Sequence, residues 1–163
     1  MNKTLPVMLA TILVSGAAAA EDAAIVAVKR LAMDVAVKVA QGAVDTCREK
    51  GIQIAATVVD REGTVQVTLR DTIAAPITVP ISRMKAFTAV NFNAATSALG
   101  SRADSPIGRV SGLVMSSGGV PIQVAGALVA GVGVSGAPSG ETDEECARAG
   151  VEKVIDDLEM EFF

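Results

Sequence analysis

Residues 52–69, IQIAATVVDREGTVQVTL, carry the pattern that decides the fold. The first part, 52–59, is an uncharged run of small and β-branched residues, which predicts a strand buried on both faces. Apolar and polar residues then alternate over 64–69, which predicts a half-buried strand. The four residues between them form a turn sequence, in which Gly63 can supply a positive φ. The stretch therefore predicts a β-hairpin and, with it, an antiparallel sheet.

Two helices are predicted to flank this hairpin along the chain. An apolar residue recurs at every fourth position from Leu31 to Cys47, which predicts a helix over residues 23–50 that the following glycine ends. Pro80 suits the first turn of a second helix that extends to about Leu99. The apolar residues of this second helix do not form one narrow stripe, so we expect it to contact protein on more than one side.

Three more strands and a last helix are predicted in the second half of the chain. The strands cover residues 110–115, 120–124 and 127–134. Thr142 and Glu145 match a capping box, so the last helix is expected to begin there and to extend to about Met160. The order of helix, two strands, helix, three strands and helix predicts an α+β fold. We expect a largely antiparallel sheet of about five strands flanked by helices.

The first twenty residues match a secretory signal peptide. Lys3 precedes a largely apolar run over 5–14, and Ala18–Ala20 then offers small residues for cleavage before Glu21. The apolar run is too short to span a membrane, which takes about 20 residues. We therefore predict a periplasmic or secreted protein whose single mature domain covers residues 21–163.

The composition excludes several classes of function. The chain has no histidine, which excludes a Ser-His-Asp triad and a zinc site built on imidazole. Two cysteines are too few for an ordinary iron–sulfur cluster, which takes four thiolates. The 14 Lys and Arg against 18 Asp and Glu, with four Phe and neither Tyr nor Trp, argue against a nucleic-acid partner.

The two cysteines, Cys47 and Cys146, each fall on a predicted helix. An exported location permits a disulfide, provided that the two helices pack so that the thiols meet. Two buried free thiols that behave as small apolar residues are an equal alternative.

Several short motifs follow one another between residues 54 and 151. Near the carboxyl end these are GGVPI at 118–122, GVGVSG at 131–136, Asp143 and ARAG at 147–150. Upstream they are VVD at 58–60 with Gly63, then Arg70, and KAFTA at 85–89. Together they resemble the GlcG/HbpS family, also called the DUF336 or haem-degrading-like family.

The resemblance implies a profilin-like fold, with a sheet of about five antiparallel strands flanked by helices. It also implies homo-oligomers and, for some exported members, haem binding as carriers or sensors. Other members accompany oxidative metabolic enzymes without a settled activity, so the fold is implied better than the function. Because the chain lacks histidine, Met, Cys and Lys are the possible axial donors to a haem iron.

The candidate ligand-binding residues come from these motifs. Glycines allow backbone to approach a ligand closely, and N–H groups with a hydroxyl can hold a carboxylate or a haem propionate. We expect the glycines, proline and serine near the carboxyl end to form a concave wall that grips a small molecule. The alternative is a set of ordinary strand turns. The candidates are Arg70, Lys85, Gly118, Gly119, Pro121, Gly133, Ser135 and Gly136.

The charged and sulfur-containing candidates have alternatives of their own. Lys85 and its neighbour Arg83 suit an anionic ligand, but a cation there can equally pair with Asp60 or Asp71. Met84 and Met115 are weak candidates for a metal ligand, since a methionine in a helix usually packs in the core.

Three functions are compatible with the sequence. The preferred one is an exported, oligomeric haem-binding protein that carries or senses a tetrapyrrole. The alternative is a periplasmic accessory protein that binds a small organic acid or an oxidoreductase partner without haem. An enzyme ranks last because no nucleophile lies in a pattern with a base, and no catalytic residue is predicted.

Overall fold

The predicted hairpin forms one half of a four-stranded antiparallel sheet. The computed structural model describes residues 24–161, so the predicted signal peptide lies outside the described residues. β1 (Ala55–Asp60) pairs with β2 (Val65–Arg70), and Gly63 has φ +87° in the turn between them. β3 (Gly119–Val124) and β4 (Ala127–Ser135) form a second hairpin, and the strand order is β2-β1-β4-β3.

The prediction of a fifth strand over residues 110–115 is wrong. Leu113 N donates to Val110 O at 3.2 Å, and Gly112 has φ +90°, so this segment turns instead of extending. Its next amide, Val114 N, donates to the Thr88 hydroxyl at 2.9 Å and not to a neighbouring strand. The apolar residues here suggested a strand, but the glycine and the pairing with a helix override that local preference.

Helices cover both faces of the sheet. α1 (Met33–Glu49) and α3 (Gly140–Glu152) pack on one face, and α2 (Thr78–Phe92) packs on the other. The remaining helical segments are two 3₁₀ turns, Thr96–Arg102 and Pro106–Arg109, and the short helix α4, Ile155–Glu161. The α+β arrangement is therefore confirmed, with four strands in place of five. No helix among residues 24–161 is long and apolar enough to span a membrane.

The helices differ from the predictions at their ends. α1 begins at Met33 rather than near residue 23, because the preceding chain is extended and Leu31 O accepts a hydrogen bond from Gln66 at 2.8 Å. α2 ends at Phe92, since Asn93 takes the left-handed conformation with φ +47°.

The last predicted helix also differs from the structure. Ser139, and not Thr142, is its N-cap, because the Ser139 hydroxyl accepts from Thr142 N at 3.2 Å. The helix is also interrupted after Glu152, so that α3 and α4 are separate.

The larger core lies between the sheet and the α1–α3 layer. Alternate residues of the strands face this layer, and they include Ala56, Val58, Val132 and Val134, all fully buried. The opposite face of the sheet is lined by small residues instead, and α2 lies directly against it. Ala86 and Val90 of α2 pack there with Val59 of β1 in a second, smaller buried cluster.

Candidate functional site

The glycines that were predicted to shape a ligand wall instead let α2 approach the sheet. A Cβ atom on Gly133 would lie 2.1 Å from Ser82 O, and one on Gly119 would lie 2.3 Å from Lys85 O. Both distances are far inside van der Waals contact, so only glycine fits while the helix stays in place.

The backbone of the GGVPI motif is occupied by protein contacts. Gly118 N donates to Glu144 at 3.4 Å, and Gly119 N donates to the Thr96 hydroxyl at 2.8 Å. Gly118 O accepts from Val134 N at 2.8 Å. These backbone groups bind neighbouring residues, and the concave wall that grips a small molecule stays a prediction for this motif.

The other motif residues also lie against protein. Pro121 pairs opposite Gly131 within the sheet, and Ser135 is buried at the end of β4 opposite Ala55. A Cβ atom on Gly136 would lie 3.0 Å from Gln53 O.

Lys85 lies in a buried ion pair. Its Nζ donates to Asp143 Oδ2 at 2.7 Å, and both side chains are about 5% exposed. The other oxygen of Asp143 accepts from Ala137 N at 2.9 Å. Burial raises the pKa of Asp143, and the hydrogen bond from Lys85 opposes this rise. The pair joins α2 to the start of α3, so the ammonium group is engaged by protein.

Glu144 is a second buried carboxylate, which the sequence analysis did not single out. It accepts from Ser97 Oγ at 2.8 Å and from Arg148 Nη2 at 2.6 Å, in addition to Gly118 N. Burial alone raises the pKa of Glu144, but these hydrogen bonds outweigh it and hold the pKa below its usual range. The side chain therefore ties the 3₁₀ turn, the glycine motif and α3 together.

Arg70 lies exposed at the end of β2, where its guanidinium donates to Ala74 O. The neighbouring Asp71 is buried and binds Arg48 of α1 through two hydrogen bonds of 2.6 and 2.9 Å. The Arg48 guanidinium lowers the pKa of Asp71 to about 2. Arg70 and Lys85 therefore have different protein partners, Ala74 and Asp143, and the structure does not bring these two predicted cations together.

Cys47 and Cys146 form a disulfide in the structure. Their Cα atoms are 5.7 Å apart, and both residues are fully buried. The bond joins the last turn of α1 to α3.

A cleft of about 440 Å³ opens on the outer side of α2. This volume lies within the usual range of small-molecule sites, about 300 to 1,000 Å³. Its surface combines apolar side chains with the exposed guanidinium of Arg83. Among residues 24–161 this guanidinium makes no ion pair. The lining residues are Pro80, Arg83, Met84, Phe87, Ser111 and Gly112.

The far wall of the cleft is the turn that replaces the expected strand, residues 110–114, which we call the wall turn. Ser111 and Gly112 of the turn face α2 across the cleft. The ring of Phe87 packs against the β1–β2 turn, since a Cβ atom on Gly63 would lie only 2.5 Å from it. Met84 is half-buried in the helix wall, whereas Met115 is buried beyond the turn and does not line the cleft.

Another cleft, of about 320 Å³, lies on the opposite side of the sheet near the start of α1. Within residues 24–161, its lining includes neither a sulfur atom nor an aromatic ring. Arg30 at its mouth is already paired with Glu62 at 3.0 Å. The lining residues are Lys29, Arg30, Leu31, Ala32, Val35, Val124, Val129, Leu158 and Glu161. It is therefore the poorer candidate for a ligand that needs a metal donor or a free cation.

The sequence predicted the helix side of the α2 cleft better than the turn side. Met84 and Arg83 were already candidates, and both line the cleft. Ser111 and Gly112 were assigned to a strand, although a Ser-Gly pair is itself a turn signal. Pro80 and Phe87 were read as helix positions, since nothing in the local pattern shows which helix face a distant loop will meet.

Comparison with known proteins places this fold in a family. The model of a family described as "Haem degrading protein HbpS-like" matches residues 31–152. The chain belongs to the HbpS-like family. A double mutant of HbpS from Streptomyces reticuli is 38% identical, with a TM-score of 0.77 over 86% of this chain and 97% of that one. No curated protein matches the chain.

Two further solved structures are similar to this chain. PduOC, solved as a complex with haem, is 25% identical, with a TM-score of 0.70 over 76% of this chain and 94% of that one. The Klebsiella pneumoniae protein ORFY, a DUF336 member, has a TM-score of 0.74 over 80% of this chain and 94% of that one. At 21% identity ORFY supports the fold alone. The family and the PduOC complex make haem a possible ligand of this chain.

Proposed function

We propose that this protein binds haem, or a closely related tetrapyrrole, in the cleft between α2 and the wall turn. The observation that carries the proposal is that Met84, Phe87 and Arg83 line one cleft. A flat apolar ring with anionic side groups suits apolar walls with a cation at the rim. Membership of the HbpS-like family supports the same ligand.

The donors of the chain fit a porphyrin iron better than a free ion. No cluster of three or more Cys, Asp or Glu residues within 24–161 is placed to hold a metal. A porphyrin would itself supply nitrogen ligands to its iron, so the chain would need to add only one further donor, and a methionine thioether can serve as one. Met84 is the methionine that lines the cleft, and when haem is bound it would supply that sulfur.

Each residue of the cleft would have a distinct part in binding. Phe87 and Pro80 would cover the apolar ring and exclude water from it. Arg83 would pair with a propionate at the rim, since its guanidinium makes no other ion pair among the described residues. Lys85 lies only two positions from Arg83 in the sequence, but it would not bind the ligand because Asp143 already binds it.

A hemin titration tests the proposal. We expect saturable binding with a shifted Soret band, and we expect Met84→Leu to change the position of that band. Met33→Leu is the matched control, because Met33 is 62% exposed at the start of α1 and does not line the cleft. An absence of saturation would rule out the proposed function, and an identical spectrum for Met84→Leu would rule out the thioether as ligand.

We also propose that the protein is exported and forms homo-oligomers, as the family resemblance implies. The signal pattern supports export, and the mass of protein recovered outside the cytoplasm tests it, because cleavage after Ala20 leaves Glu21 as the first residue. Light scattering on that material measures the number of subunits. A mass that still includes residues 1–20 would contradict export, and a monomer would contradict oligomer formation.

A further inference from the structure

The hydroxyl group of Thr88 connects the two walls of the α2 cleft. Thr88 is fully buried, and its Oγ1 donates to Met84 O at 2.8 Å in its own helix. The same oxygen accepts from Val114 N, at 2.9 Å, in the wall turn. One side chain that is not itself in the cleft therefore links the helix turn that carries Met84 to the wall opposite.

The wall turn has no other hydrogen bond to α2 within the part of the chain that the structure describes. Its internal hydrogen bond, from Leu113 N to Val110 O, shapes the turn but does not hold it in place. Apart from its chain neighbours, no residue within 24–161 has a heavy atom within 4 Å of the Cβ position at Gly112, so the tip of the turn has open space beside it. The contact made by Thr88 is therefore the one hydrogen bond that links the two walls directly among the described residues.

We propose that Thr88 is the positioning residue of this site, and that its hydroxyl fixes the width of the cleft by holding the wall turn against α2. The inference rests on the proposed function, since it assigns a cause to the affinity of the same cleft. Without the hydroxyl, Val114 N loses its acceptor, whereas Met84 O keeps its helical hydrogen bond. The turn then samples positions away from the helix, and only a fraction of molecules present a closed cleft.

Three variants separate positioning from general stability. Thr88→Val keeps the shape of the side chain and removes both hydrogen bonds, and Thr88→Ser keeps the hydroxyl. Thr96→Val is the matched control, because Thr96 is equally buried and accepts from Gly119 N at 2.8 Å, yet it does not line the cleft. Each variant is measured by hemin titration, by thermal unfolding and by hydrogen exchange at the Val114 amide.

We expect Thr88→Val to weaken hemin binding by about five- to tenfold, as the loss of one hydrogen bond implies. Exchange at Val114 should become faster in that variant, and Thr88→Ser should restore both values to within about twofold of the wild type. Thr96→Val should lose a similar amount of thermal stability but bind hemin normally.

Several outcomes would overturn the inference. Normal binding by Thr88→Val would show that the tether does not set the affinity, and equal weakening by Thr96→Val would assign the effect to stability. If the wild type takes up no hemin, the proposed function fails. In that case exchange at Val114 still decides the tether, because an unchanged rate in Thr88→Val would contradict it.

Discussion

At the scale of single residues, Arg83 is the cation that a ligand of the α2 cleft can reach. Arg83→Gln keeps most of the side chain and removes the charge, so hemin affinity should fall by about three- to tenfold at low salt. The difference from the wild type should shrink as salt is added, because ions screen exposed charges. Titrations at two salt concentrations measure this.

Arg61→Gln is the control for Arg83, because Arg61 is exposed in the β1–β2 turn and does not line the cleft. Its affinity should equal that of the wild type at both salt concentrations. Equal losses in both variants would mean that net charge, and not a specific contact, attracts the ligand.

Asp71 makes the stability of the fold sensitive to acid. Its pKa is about 2 in the folded protein against an ordinary value of 3.8, since Arg48 donates two hydrogen bonds to it. The stabilisation is therefore complete above about pH 4 and is lost as the pH falls toward 2. The melting temperature of the wild type should therefore fall as the pH is lowered from 4 to 2.

Asp71→Asn should melt lower at neutral pH and show less change between pH 4 and 2. Asp45→Asn is the control, since Asp45 lies half-exposed 3.5 Å from Arg48 and should leave the acid transition in place. A wild-type acid transition that persists in Asp71→Asn would contradict this account.

Single residues also show where the sequence is informative about the site. Met84 could be selected from the sequence because the chain has no histidine to serve as a metal ligand, and Arg83 because it is a cation on a mostly apolar helix. Lys85 was selected on the same grounds, but Asp143, 58 positions away, binds it. Such a partner depends on packing between distant elements, which a local pattern does not contain.

At the scale of elements, the contact between α2 and the sheet depends on glycines. A Cβ atom on Gly133 would overlap Ser82 O, so Gly133→Ala should destabilise the fold by about 1–3 kcal/mol or more. Gly100→Ala is the control, because no described residue other than its chain neighbours lies within 4 Å of its Cβ position. Urea unfolding of both variants measures the difference, and equal stability would contradict the close approach of the helix.

Elements built from local signals were predicted well, and those that depend on distant partners were not. Both hairpins have turns with glycine at a positive φ, Gly63 in the first and Gly126 in the second, so the sequence alone places them. The segment 110–115 is apolar like a strand, but its Val114 amide donates to the Thr88 hydroxyl instead of to a neighbouring strand. The start of α1 was placed too early because its apolar repeat continues into the extended chain that Gln66 binds.

At the scale of the whole molecule, the disulfide joins α1 to α3 across 99 positions of the chain. Closing so long a loop restricts the unfolded state, so removing the bond should lower the free energy of unfolding by about 2–5 kcal/mol. Replacing Cys47 and Cys146 together by alanine should therefore lower the urea midpoint. The wild type in reductant should approach the same value, and equal midpoints with and without the bond would contradict its structural role.

The most direct test of the central claim is a crystal structure of the protein with bound hemin. The account predicts the porphyrin between α2 and the wall turn, with Met84 on the iron and a propionate at Arg83. A porphyrin bound in the cleft beside Leu158, or between subunits away from α2, would contradict the assignment of the site.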